Sequence, residues 1–160
     1  MRKTDREITD FDEIVKVMKR SDVCRLALND GDYPYIVPLN FGITVENGVI
    51  TLWFHSALEG TKLDLIRRDN RAAFEMDCEH RLVTDDEKGS CTMNYKSVIG
   101  RGIIEFVPEE EKLDALKILM AHYHKEEFAF NVNVVPHTAV YKLTVQEITG
   151  KNRRSISENK

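Results

Sequence analysis

The sequence has no long apolar run, no basic block and few cysteines, and each shortage removes a class of function. No stretch approaches the ~20 consecutive apolar residues that a bilayer-spanning helix needs. Lys and Arg total 23 against 27 Asp and Glu, a net charge of −4, which argues against general binding to nucleic acid or membrane surfaces. The three cysteines, Cys24, Cys78 and Cys91, are odd in number and lack CxxC spacing. Free thiols in a reducing cytoplasm are the simplest expectation. Cys78, His80 and Cys91 fit no common zinc spacing, so no metal is expected. GxGxxG and GxxxxGK[ST] are missing, since Gly100-Arg101-Gly102 lacks a third glycine. Any nucleotide must be held another way. The segment Met1–Glu7 has no apolar stretch behind it, so no signal peptide is expected.

What is present is a chain of 160 residues, 42% hydrophobic and 31% charged, the profile of a globular protein. Length and the lack of a linker predict one domain over 1–150 with a polar tail at 151–160. A helix is predicted over 10–19, capped by Asp10, with Phe11, Ile14, Val15 and Met18 on one face. The period then turns to strands: Val23–Leu28, Tyr35–Phe41 and Val49–Phe54. Tight turns at Asn29-Asp30-Gly31-Asp32 and Glu46-Asn47-Gly48 join them into an expected meander. A short helix around Leu63, Leu65 and Ile66 is expected to end near Asp69-Asn70. Ala72–Cys78 reads as a strand, 79–90 as a polar loop, and Ser97–Val107 as a long strand bent or bulged at Gly100 and Gly102. Pro108-Glu109-Glu110-Glu111 opens a further helix, and Ala139–Ile148 is the last strand. Several hairpin-joined strands with few helices predict a mainly β (α+β) fold, a barrel flanked by helices.

Three stretches carry residues of chemical interest. In "LWFHSALEGTKLDLI" a strand hands over to a helix. Ser56 and Thr61 hydroxyls, backbone amides entering the helix and the Lys62 ammonium could converge on a phosphate. The same letters also read as a Ser56 cap and a solvated Lys62. Pro38 interrupts a strand, which marks either a plain edge or backbone groups left for a ligand, and Asn40 adds an amide. Asn94-Tyr95-Lys96-Ser97 offers a ring, a cation and a hydroxyl at a strand start.

Taken in order, "DGDYPYIVPLNFG", "LWFHSALEGTKLDLI" and "NYKSVIGRGIIEFV" resemble the pyridoxamine 5′-phosphate oxidase-like flavoproteins, and within them the nitroimidazole-resistance branch. The resemblance runs from about Arg20 through Thr149-Gly150-Lys151. It implies an antiparallel, Greek-key-type split β-barrel that dimerises and binds FMN in two clefts at the subunit interface. Residues matching the family's cofactor contacts are Ile36, Val37, Pro38, Leu39, Asn40 and Phe41 at the ring edge. His55, Ser56, Thr61 and Lys62 match the phosphate turn, and Tyr95, Ser97 and Val98 match the partner's contribution, with Lys151 approaching from the C-terminal segment. His55 matches a position beside the flavin. The strand at Ile36–Phe41 is almost uncharged and the tail is short, departures that argue against pyridoxamine phosphate as substrate.

The function implied is an FMN-dependent oxidoreductase that passes electrons from NADH or NADPH to a small acceptor, with His55 as the catalytic residue. The alternatives are a non-enzymatic flavin- or haem-binding protein, with His55 as an axial ligand, and an interaction protein with a vestigial cleft.

Overall fold

A computed structural model describes residues 4–126 and 128–154. Eight strands, all paired antiparallel, form one sheet: β1 (Glu7–Ile8), β2 (Cys24–Asp30), β3 (Tyr33–Leu39), β4 (Gly42–Glu46), β5 (Val49–Ala57), β6 (Arg71–Asp85), β7 (Ser90–Phe106) and β8 (Thr138–Arg153). The order across it is β3-β2-β6-β7-β8-β5-β4, with β1 pairing off the end of β8. Neighbours that are distant in sequence, β2 with β6 and β5 with β8, make this the Greek-key-type split barrel. β3 and β4 lie at its two unpaired edges. Three helices flank it: α1 (Phe11–Arg20), α2 (Thr61–Arg68) and α3 (Lys112–Tyr123).

Local chemistry explains the helix ends. The Asp10 carboxylate accepts the Glu13 amide at 2.9 Å, the predicted N-cap. The buried face of α1 is Ile14, Val15, Val17 and Met18, while Phe11 stays exposed. The barrel interior is filled by alternate residues of each strand, among them Leu26, Leu52, Phe54, Phe74, Tyr141 and Leu143. A smaller apolar cluster of Val107, Ala115, Leu116, Val135 and Val140 fixes α3 on the outside, with Trp53 against it. No described helix is long and apolar enough to cross a membrane.

Four expectations need correction. The meander fails between Leu39 and Gly42, because the strand predicted over Tyr35–Phe41 stops at Leu39. Gly42 then starts a separate strand that pairs with β5 at the opposite edge of the sheet. Phe41 leaves the ladder because its side chain is wholly buried and its amide bonds a side chain of α3. Second, the predicted loop 79–90 is a two-stranded arm. β6 and β7 pair from Arg81 to Asp85, past a bulge at Cys78–Arg81, and Glu79 takes φ 58°. The arm is exposed on one face and only half-buried on the other, so no apolar alternation announced it. Third, Glu109–Glu111 forms a 3-10 turn, and α3 begins only at Lys112. Last, β8 runs to Arg153, three residues into the predicted tail, because Ser97, Lys96 and Tyr95 of β7 pair with Lys151, Asn152 and Arg153. Residues 155–160 lie outside the described residues.

The predicted bulge is present at Arg101–Gly102. Gly100 is needed there for a packing reason. A Cβ would lie 2.4 Å from the Phe74 ring, inside the barrel.

Candidate functional site

Residues of β5 alternate across the sheet. Leu52 and Phe54 point into the barrel; Trp53 and His55 point outward, opposite Lys142 and Val140 of β8. Trp53 is fixed by its indole N–H, which donates to the Thr44 hydroxyl at 2.9 Å. His55 is exposed beyond it. Its pKa is held below the ordinary 6.5, first by partial desolvation and then by the Lys62 cation. Its imidazole is therefore neutral at pH 7. On acidification the unfolded chain takes up this proton first, so His55 favours the fold above about pH 6.5 and that contribution fades as pH falls through its folded value. Replacing Lys62 with Gln removes the second cause only. The His55 pKa, followed by imidazole proton NMR, should rise yet remain below 6.5, and an unmoved titration would separate the two residues.

The strand ends at Ala57, and α2 starts at Thr61. Between them Gly60 adopts φ 137° and ψ 157°, a region almost confined to glycine. Its carbonyl accepts the amides of Leu63 (2.9 Å) and Asp64 (3.3 Å). The Thr61 and Lys62 amides, at the positive end of the helix, have no backbone acceptor among the described residues. The half-buried Lys62 ammonium has no carboxylate partner among those residues. Two free amides, a hydroxyl on Thr61 and an uncompensated cation make a donor set suited to a phosphate-like anion. Ser56 stands apart from it. It neither caps α2 nor shares the outward face with His55, and its hydroxyl donates to the Ala57 carbonyl at 3.0 Å. The sequence reading missed Gly60. Its signal was available, a glycine directly before Thr-Lys with no Ser, Thr, Asp or Asn cap.

The other expected residues divide into two groups. Ile36 and Pro38 face outward from the edge strand β3, whereas Val37 and Leu39 pack against the core, and Phe41 is sealed within it. Asn40 lies in the crossover to Gly42, which pairs with Trp53. The crossover thus ends beside the outward face that carries His55. Tyr95, Ser97 and Lys151 are brought together at the far end of β7 and β8. Ser97 and Lys151 are paired, and the Lys151 ammonium donates to the Tyr95 hydroxyl while lying 4.8 Å from its ring centre. The His80 ring stacks on Tyr95 at 6.4 Å, held by Asp77, which Arg25 also holds at 2.8 Å. Val98 points into the core with no exposure.

Val140, opposite His55, and Lys151, opposite Ser97, are eleven residues apart on the same strand. That separation is ~36 Å along β8 at ~3.3 Å per residue. The two groups therefore cannot meet on one small ligand within a single chain.

This geometry can be set beside known proteins. Residues 10–152 match the family described as pyridoxamine 5′-phosphate oxidase. The chain belongs to that family. A candidate 5-nitroimidazole antibiotic resistance protein from Bacteroides thetaiotaomicron is 35% identical, over 91% of this chain and 86% of its own, with a TM-score of 0.78. An FAD- and haem-binding protein from Mycobacterium smegmatis shares the fold at 17% identity and a TM-score of 0.79, over 94% and 74% of the two chains. A candidate pyridoxamine 5′-phosphate oxidase from Listeria innocua shares it at 19% and 0.55, over 91% and 98%. A search of curated proteins by sequence gave no match. The split barrel expected from the three motifs is thus the family's fold, and the resemblance extends to a relative named for nitroimidazole resistance.

Proposed function

We propose that the protein is an FMN-binding oxidoreductase that works as a homodimer in a reducing cytoplasm. The observation that carries the reading is the donor set at the start of α2 beside His55: two amides and a Lys62 cation without partners among the described residues, and the Thr61 hydroxyl. A phosphomonoester of charge near −2 fits it. Family membership and the 35%-identical relative support flavin as the rest of the ligand. The dimer accounts for the distance between the two residue groups, with one chain supplying Asn40, His55, Thr61 and Lys62 and the second supplying Tyr95, Ser97 and Lys151.

The chemistry that FMN supplies there is acceptance of hydride from NADH or NADPH and onward electron transfer to a small acceptor, a nitro-aromatic being the class favoured by the relative. The chain's own part is to orient, exclude water and hold protons. Lys62, Thr61 and the α2 amides fix the phosphate. The uncharged outward residues Ile36 and Pro38 of β3 offer an apolar edge and no cation for a substrate phosphate, which disfavours pyridoxamine phosphate. His55, neutral at pH 7, can take up or return a proton at its ring nitrogen as the acceptor is reduced.

The test is a visible spectrum of the purified protein after incubation with FMN and gel filtration. Retained bands near ~370 and ~450 nm, bleached by NADH or NADPH, are the expected result. A Soret band points instead to haem, and no chromophore at all removes the redox reading. His55→Ala should retain FMN but reduce acceptors about a hundredfold more slowly, the usual size of a general acid–base contribution. Unchanged turnover would take His55 out of the chemistry.

A further inference from the structure

The segment Asn40–Phe41 crosses between opposite edges of the split sheet and belongs to no ladder, so something other than strand pairing must hold it. The last turn of α3 does so. The Tyr123 hydroxyl accepts the Phe41 amide at 3.0 Å and donates to the Asp22 carbonyl at 2.8 Å, tying the crossover to the turn between α1 and β2. Next to it the His122 ring lies 4.3 Å from the buried Phe41 ring and contacts the Ser21 carbonyl at 2.9 Å. One turn earlier the α3 backbone presses so closely on Gly42 that a Cβ there would lie 2.7 Å from the Leu119 Cα and N. Phe41 and Gly42 are thus anchored by packing, whereas the position of the Phe41 amide is set by one hydroxyl whose donor and acceptor capacities are both used. Tyr123 itself is 39% exposed, so its ring adds little to the core.

We infer that Tyr123 is a positioning residue for the flavin site: through the Phe41 amide it fixes the Asn40 backbone relative to the phosphate anchor at Lys62. The inference rests on the FMN reading above and names a residue outside the expected site. A ligand held at both points binds tightly only if the distance between them is preset, since ordering a loose crossover subtracts from affinity.

Tyr123→Phe keeps the ring and deletes the hydroxyl. The expected result is an FMN Kd raised about tenfold, the scale of one lost hydrogen bond, together with a shifted ~450 nm band. The urea midpoint should fall by no more than one orphaned amide accounts for, with the m-value unchanged. Amide exchange at Phe41 supplies a readout free of flavin: it should accelerate at least about tenfold in the variant, while Leu26 and Val37 stay protected. Faster exchange with an unaltered Kd and spectrum reduces Tyr123 to a structural prop and overturns the inference. Unchanged exchange overturns it at the first step. A wild-type chain that takes up no FMN sinks the flavin reading and any positioning for it, a failure distinguishable because the exchange result is obtained independently.

Discussion

Lys62→Glu should abolish FMN retention on gel filtration and raise the Kd more than about a hundredfold. A charge-assisted hydrogen bond to a phosphate is worth about 1.5–3 kcal/mol, and 1.4 kcal/mol is about tenfold in affinity. Lys62→Ala should therefore weaken binding roughly 10- to 100-fold, and reversal adds repulsion in a half-buried setting where solvent screens it only partly. The fold itself should be untouched. Position 62 is the second residue of α2, where the helix dipole favours an acid, so the Glu variant loses nothing in helix stability. Loss of FMN at an unchanged urea midpoint is then a binding effect. Lys62→Arg should recover most of the affinity, and salt should weaken the wild type more than Lys62→Ala. Tight FMN binding by Lys62→Glu would falsify the placement of the phosphate, since no orientation of a dianion tolerates a carboxylate there.

Much of this was legible in the sequence, and the failures have specific causes. Tight turns at Asp30-Gly31 and Asn47-Gly48 were readable because Gly31, Asn47 and Gly48 take positive φ and each residue type announces it. The α1 cap was readable because a carboxylate and an amide three residues away suffice for it. The break after Leu39 was not, since Tyr35, Val37, Leu39 and Phe41 keep the two-residue period of a strand through a point where the chain changes sheet edge. Only the long-range bond from Tyr123 and the approach of Leu119 to Gly42 reveal it. The arm at 79–90 was invisible for the opposite reason: strands with no fully buried apolar face carry no clear period. Of the residues expected at the phosphate turn, Thr61 and Lys62 lie together at the start of α2. Ser56 was grouped with them by proximity in sequence, but strand alternation turns it to the other face of β5. Gly60 acts through its backbone conformation and Tyr123 through a hydroxyl that reaches backbone groups distant in sequence, which residue types alone disclose poorly.

The largest stability effect should come from Gly102→Ala. A Cβ there would lie 2.1 Å from the Thr144 carbonyl oxygen and 2.9 Å from both the Thr144 carbonyl carbon and Leu143 Cδ2. The nearest obstacle is backbone of β8 in the adjoining ladder, so no rotamer relieves it and β7 must part from β8. Overpacking of this kind costs about 3 kcal/mol, against a total stability of about 5–15 kcal/mol for a domain. The urea midpoint should fall accordingly, with the m-value unchanged. Gly100→Ala provides the contrast. Its closest clash is the Phe74 ring, so Phe74→Leu should restore part of the loss, whereas Leu143→Ala should not rescue Gly102→Ala. A Gly102→Ala chain within about 0.5 kcal/mol of wild type would show that the two strands slide apart freely. The position matters beyond packing. Gly102 marks the bulge where pairing jumps from Arg101–Glu147 to Gly102–Val145, leaving Gln146 as the extra residue of β8. A one-residue insertion exchanges the faces of a strand. It is why Val140 beside His55 and Lys151 beside Ser97, an odd number of residues apart, both face outward. Without the bulge one of the two groups would turn into the barrel, and a second chain could not meet both. A glycine is required at the step that gives the proposed two-chain site its common face.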